Sequence, residues 1–166
     1  MKKAIAIALI CLTVFSATFA GGKKEPKVDN SLEELKARGE FVLGLDDSFP
    51  PLGFRDDNNN IVGYDIDLAS EVCKRLGVTL RCQPIDWAAK EQELNTGNID
   101  CIWNGFTMTP ERKEALSFTE AYLDNAQVVI VRGDSGYKTL ADLAGKTVGL
   151  QAGSSAADAL YASTFS

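Results

Sequence analysis

Gly63-Tyr64-Asp65-Ile66-Asp67-Leu68-Ala69-Ser70-Glu71-Val72-Cys73-Lys74-Arg75-Leu76, closed by Gly77, decides the architecture of this chain. From Asp65 onward its apolar positions Leu68, Ala69, Val72, Cys73 and Leu76 recur at the spacing of one helical face, and Gly77 stops the run. Ahead of it, Phe41-Val42-Leu43-Gly44-Leu45 reads as a buried strand. Behind it, Val78 to Cys82 reads as the next one. Strand, helix and strand in this order predict parallel pairing and an α/β sheet covered on both faces.

The same rhythm extends both ways. Ser31-Leu32-Glu33-Glu34 has capping-box spacing for a short helix that Gly39 ends. Asp46 to Asn60, with Pro50-Pro51, reads as turn-rich. Trp87 to Leu94 reads as a second helix closed by Asn95-Thr96-Gly97, and Asp100 to Trp103 as a further strand. Later, Gln127 to Val131 and Thr147 to Leu150 read as strands. Thr139 to Ala144 reads as a short helix, and Gln151-Ala152-Gly153-Ser154-Ser155-Ala156 leads into another.

The first twenty residues have the three parts of an export leader. Lys2 and Lys3 precede an apolar stretch from Ala4 to Val14, and small residues end it at Thr18-Phe19-Ala20. An apolar stretch this short falls well below the roughly 20 residues a membrane-spanning helix needs. Cleavage is expected after Ala20, giving an exported, periplasmic protein. Lipid attachment at Cys11 is the lesser alternative, because Leu9-Ile10 precedes it without a small residue. Loss of the leader takes the net charge from −6 to −8. An acidic chain without a basic run argues against nucleic acid or anionic membrane as a partner. With no histidine, His-ligated metal sites and Ser-His or Cys-His nucleophile pairs are excluded within the chain. Cys73, Cys82 and Cys101 match no zinc spacing, and no cofactor or metal is expected.

Gly105-Phe106-Thr107-Met108-Thr109-Pro110-Glu111-Arg112 carries the candidate chemistry. Thr109 suits an N-cap, Pro110 the first helical position and Glu111 the positive end of the dipole. Arg112 is the anomaly, a cation near a helix start. Beside free N–H groups and the Thr107 hydroxyl, its guanidinium suits bidentate binding of a carboxylate. Read alone, the octet is better explained as an ordinary capped surface helix with a solvated arginine.

Taken together, the motifs resemble the bacterial extracellular solute-binding proteins of family 3, which bind polar amino acids. The resemblance lies in Gly63 to Leu76, Phe49-Pro50-Pro51, Asp86-Trp87, Thr107 to Arg112, Phe118-Thr119-Glu120-Ala121-Tyr122 and Leu140 to Lys146, in that order. It spans Phe41 to about Leu160 and implies a two-lobed, type II periplasmic-binding-protein-like α/β fold with parallel or mixed sheets. Such proteins deliver a free amino acid to the membrane permease of an ABC importer and are expected to act as monomers.

The resemblance also implies roles. The residue matching Arg112 pairs with the ligand's α-carboxylate; that matching Thr107 gives its N–H to the carboxylate and its hydroxyl to the α-ammonium. Gly105 offers its carbonyl to the ammonium. Phe49 and Trp87 match positions that pack on the ligand side chain, with core packing the alternative for Trp87. Asp46 matches a position that contacts basic ligands, with a capping role as the alternative, and Asn104 a pocket-lining one. Trp103 and Phe106 alternate around Asn104, so at least one of them is expected to face the core. Ser154 and Ser155, in Gly153-Ser154-Ser155, match a helix start that meets the same carboxylate, or form a structural cap. Asp65 and Asp67 are expected to cap their helix and hold its loop. A disulfide between Cys73 and Cys82 and two free thiols both remain open.

The expected organisation is a leader at 1–20, a flexible lead-in at 21–30, lobe one at 31–131 and the start of lobe two at 132–166. A chain that stops there lacks the far lobe's acidic partner for the ammonium and is expected to bind weakly or not at all. It is also expected to leave an apolar patch exposed. An enzyme on the same fold, such as a dehydratase, and a sensor or interaction module are the alternatives. The missing histidine weighs against the first, and the absence of a second membrane segment or signalling domain against the second.

Overall fold

Three parallel strands form the central sheet of the computed structural model, which describes residues 29–163. The leader and most of the lead-in lie outside the described residues. Helix α1 (Ser31–Arg38) precedes strand β1 (Glu40–Leu45), and helix α2 (Tyr64–Leu76) connects β1 to β5 (Thr79–Pro84). The sheet order is β5-β1-β6, with β6 at Cys101–Ile102 and both pairings parallel. Register runs from Glu40 opposite Thr79 to Leu45 opposite Pro84, and Leu43 lies opposite Cys101.

The alternation along β1 explains its central place. Leu43 and Leu45 are fully buried and pack with Ile66 and Ala69 of α2, closed in by Phe41, Ile61, Leu80, Cys82 and Trp103. On the opposite face Gly44 lets the side chains of Ile85 and Ile99 approach the backbone. With both faces filled, the strand reads as a continuous apolar run. Arg38 and the Val42 amide both bond the Asp100 carboxylate, which ties the start of the sheet to the strand before the candidate site.

The turn-rich stretch holds more order than its composition suggests. Strands β2 (Ser48–Phe49), β3 (Gly53–Arg55) and β4 (Ile61–Val62) make a small antiparallel sheet in the order β2-β3-β4. Asp56 closes the β3–β4 turn by accepting from the Asn58 and Asn60 amides at 2.9 and 2.8 Å. The strands are two or three residues long, too short for a periodic pattern to show.

The capping expectations need two corrections. At α1 the carboxylate that accepts from the Ser31 amide belongs to Asp29, not to a Ser31–Glu34 box. At α2 the N-cap is Gly63 at φ 135°, and neither Asp65 nor Asp67 caps. The Tyr64 and Asp65 amides instead donate to the carbonyls of Pro51 and Leu52, both at 3.0 Å. A Cβ at Gly63 would collide with the Leu52 carbonyl, so only glycine fits this approach.

After Asp86, which caps a 3₁₀ turn at Trp87–Ala89, come α3 (Lys90–Asn95) and, beyond β6, α4 (Pro110–Ala115). Thr109 caps α4 by accepting from the Arg112 amide, with Pro110 at its first position, as the sequence predicts. Further on, a 3₁₀ turn at Leu140–Leu143 carries a Thr139–Asp142 capping box, and α5 spans Ser155–Tyr161. The predicted strands at 127–131 and 147–150 do not form. An apolar run states a demand for burial but names no partner, and among the described residues neither segment joins a ladder. Val128 and Ile130 are accordingly 76% and 90% exposed.

Candidate functional site

The start of α4 places Arg112 over the face of Phe106, with its guanidinium carbon 4.5 Å from the ring centroid. The side chain is 13% exposed. Its Nη1 donates to the Thr107 carbonyl at 3.0 Å and its Nη2 to the Gly153 carbonyl at 3.1 Å. Proline at the first helical position and the Thr109 cap fix the direction in which this turn leaves β6, so the guanidinium lies back over Phe106. Phe106 in turn stacks on Phe118 at 5.5 Å and meets Trp87 edge-on at 5.7 Å.

Of the two aromatics that flank Asn104, Trp103 packs against the core and Phe106 faces the site. Asn104 is 3% exposed, and its side-chain carbonyl accepts from the Asp46 amide at 3.0 Å. It holds the end of β1 to the loop that follows β6. Gly105, at φ 59°, completes that loop: its amide donates to Asp65 Oδ2 at 2.8 Å and meets the Tyr122 hydroxyl at 3.2 Å. Asp65 is fully buried and also accepts from Tyr122 at 2.9 Å. It therefore holds the Gly105 loop rather than its own helix. Burial raises its pKa, against the lowering effect of the Tyr122 and Gly105 hydrogen bonds. Burial first, and the bond to Asp65 next, push the Tyr122 phenol strongly upward, which keeps it a donor.

Thr107 and Ser155 meet, with their hydroxyl oxygens 3.3 Å apart. Asn125 donates to the Thr107 hydroxyl, and Gln127 to Ser155 Oγ at 2.9 Å. Ser154 has a different task. Its hydroxyl accepts from the Ala156 amide and donates to the Gln151 carbonyl, which makes it the N-cap of α5. Asp46 is half-buried and accepts from Gln151 Nε2 at 2.6 Å and from Ser48. Burial raises its pKa, but the hydrogen bonds from Ser48 and Gln151 outweigh that and leave it below its ordinary value. Phe49, on β2, is 45% exposed and lies beside Gly105, its ring carbon 3.7 Å from where a Cβ would stand. Trp87 is half-buried against Phe106.

The fold thus gathers Arg112, Thr107 and Ser155, sets Phe49 beside Gly105, and ties Asp46 to Gln151. Lys90, Glu91, Asn125, Gln127 and Gln151 also enter this cluster, and the sequence pattern gave no sign of them. The alternation around Asn104 was the signal for Phe106. Cys73, Cys82 and Cys101 are free thiols, and burial pushes the Cys101 thiol up to about 11. Among the described residues no three His, Cys, Asp or Glu side chains converge on a metal site, and no helix is long and apolar enough to cross a membrane.

Residues 41–160 match the family model described as bacterial extracellular solute-binding proteins, family 3. The chain is 30% identical over 154 residues to the arginine-binding extracellular protein ArtP of Bacillus subtilis (strain 168), covering 93% of this chain and 57% of that protein. It is similar, at 41% identity and TM-score 0.77, to an ABC uptake transporter substrate-binding protein from Streptococcus pneumoniae solved with bound histidine. That match covers 81% of this chain and 55% of the other. The arginine-bound form of domain 1 from TmArgBP matches at 44% identity and TM-score 0.54, over 55% of this chain and 72% of that one. The chain spans about half the length of the curated relatives it matches.

Proposed function

Because the chain belongs to the bacterial extracellular solute-binding proteins, family 3, with an α/β fold, we propose that it binds a free polar amino acid outside the cytoplasm for delivery to an ABC importer. In this reading Arg112 takes the α-carboxylate with the Thr107 amide, while the Gly105 carbonyl and Thr107 hydroxyl take the α-ammonium. A zwitterion removed from water needs a cation and donors at one end and acceptors at the other, and this loop supplies both. Phe49 and Trp87 flank the ligand side chain. Asp46 favours a basic one, and the arginine-binding relatives support that preference.

The observation that carries the reading is Arg112, a nearly buried guanidinium held over the Phe106 ring at a helix start, beside the Thr107–Ser155 hydroxyl pair. Residues 31–131 form the first lobe and 132–166 open the second. Arg112 and Thr107 lie in the first, which agrees with an arginine-bound domain 1 in a relative, and Ser155 joins them from the second. The protein catalyses no reaction, acts as a monomer, and meets the permease with its ligand enclosed. Asn104 and Ser154 contribute by holding Asp46 and α5 in place.

Titration of the ¹⁵N-labelled chain with each of the twenty amino acids tests this. Weak one-to-one binding of a polar amino acid is expected, with the largest shifts at the Gly105, Thr107 and Arg112 amides. Shifts confined to other parts of the chain, or an affinity that Arg112→Met leaves unchanged, overturn the assignment.

A further inference from the structure

Among the described residues the buried charged side chains are Asp65 and Lys90. Asp65 holds the Gly105 loop, and Lys90 stands beside Arg112. It opens α3, is 1% exposed, and donates to the Gly153 carbonyl at 2.8 Å and to the Trp87 carbonyl at 3.2 Å. The Gly153 carbonyl is also the acceptor for Arg112 Nη2. Two cations that converge on one oxygen repel each other unless something lies between them. Here Glu91 Oε1 stands 3.3 Å from Lys90 Nζ and 3.9 Å from Arg112 Nε, and the Phe106 ring offers its face to both.

The turn that Lys90 grips is seated tightly. Gly153 is at φ 69°, and a Cβ there would stand 2.9 Å from Ala88 Cα and 3.3 Å from the Trp87 carbonyl. The turn opens α5 and thereby carries Ser155 to Thr107. Arg112 and Lys90 differ in one respect that matters. A ligand carboxylate can draw the Arg112 donors away from the neutral Gly153 carbonyl, because it adds ion–ion attraction and a second oxygen that matches the planar fork. Lys90, walled off by Trp87, Phe106 and the turn itself, keeps its bond through that exchange.

We propose that Lys90, with Glu91 as its counter-charge, is a positioning residue that keeps the Gly153 turn seated on the Trp87–Ala89 turn while Arg112 is given over to a ligand carboxylate. This rests on the reading of Arg112 as a carboxylate anchor. It assigns to Lys90 a share of the affinity without contact to the ligand, since losing the seat also loses the placement of Ser155.

Hydrogen–deuterium exchange of the full chain tests the seat with no amino acid present. In Lys90→Met the amides from Gly153 to Ala157 are expected to exchange about tenfold faster, while those of β1 stay as slow as in the parent. Lys90→Arg, which keeps a donor, is expected to recover much of the protection. With L-arginine and L-histidine as probes, Lys90→Met is expected to weaken binding about tenfold. Parent-like exchange at Gly153 to Ala157 overturns the proposal. If β1 also loses protection, Lys90→Arg decides: parent-like protection at Gly153 to Ala157 and at β1 supports the seat, and local loss with β1 intact overturns the view that a donor at this position holds the turn. If the parent binds neither probe, the exchange data decide the seat by themselves; if it binds and Arg112→Met leaves the affinity unchanged, the carboxylate-anchor reading falls while the seat stands on the exchange data.

Discussion

Replacement of Asp65 by alanine tests how the fold holds the candidate site. The carboxylate is fully buried and accepts from the Gly105 amide at 2.8 Å and the Tyr122 hydroxyl at 2.9 Å. In Asp65→Ala the Gly105 amide keeps only its 3.2 Å contact with a hydroxyl that itself donates. A donor stranded in this way costs about 1–3 kcal/mol. Tyr122 loses its acceptor as well, and its share is a net loss of about 1 kcal/mol. Removing a buried charge returns part of the total. A loss of about 2–3 kcal/mol is expected from these terms, a large fraction of a typical stability of about 5–15 kcal/mol. Asp65→Asn keeps one acceptor oxygen and is expected to lose about half as much. Urea unfolding followed by tryptophan fluorescence gives both values. Alanine costing under about 1 kcal/mol, or asparagine costing as much as alanine, would refute the argument that these two bonds are what the carboxylate supplies.

The two aspartates should also lean in opposite directions with pH. Asp46 titrates below its ordinary 3.8, so its contribution is present above 3.8 and lost as pH falls through the folded value. The deficit of Asp46→Asn in urea midpoint should therefore hold at neutral pH and shrink at pH 3. Asp65 titrates above 3.8, so its contribution is fullest below that value and is lost as pH rises through the folded pKa. The deficit of Asp65→Asn should be larger at pH 3 than at pH 7, and the same direction for both variants would contradict the stated causes. Arg112→Lys keeps the charge but loses the planar fork, and is expected to weaken amino-acid binding by about 1.5–3 kcal/mol in calorimetry, with a smaller loss in stability because its bonds to the Thr107 and Gly153 carbonyls change too.

Where the sequence was legible, local pattern and tertiary demand agreed. The α2 face, the doubly buried β1 and the Thr109–Pro110 helix start each carry their signal within a few residues. Where it was not, the deciding partner lay far along the chain. Asp65 looks like an N-terminal helical acid, but its partners are 40 and 57 residues away. Ser154 and Ser155 are adjacent and chemically alike, yet one caps α5 and the other meets Thr107, a distinction set by helix phase alone. Lys90 reads as an ordinary charge on a short helix. Its burial depends on the Gly153 carbonyl 63 residues later.

The polar groups proposed for a zwitterion are already bonded to the protein. Arg112 holds Gly153 and Thr107, Asp46 holds Gln151, and Thr107 holds Ser155 and Asn125. Affinity is then the difference between bonds to the ligand and these internal ones, not their sum with water as the reference. At Arg112 the exchange is favourable only for a charged acceptor, because the Gly153 carbonyl already supplies a neutral one. The Gly153 bond is already charge-assisted through its donor, so what a carboxylate adds is ion–ion attraction, about 1–4 kcal/mol for a pair about 4 Å apart, and a second oxygen for the planar fork. An amino-acid amide, which replaces the carboxylate with a neutral carbonyl and keeps the ammonium and side chain, forgoes that gain. It is expected to bind at least tenfold more weakly than the parent amino acid, and the gap should vanish in Arg112→Met. Equal affinity of acid and amide for the unaltered chain would mean that the guanidinium does not exchange its internal acceptor for the ligand.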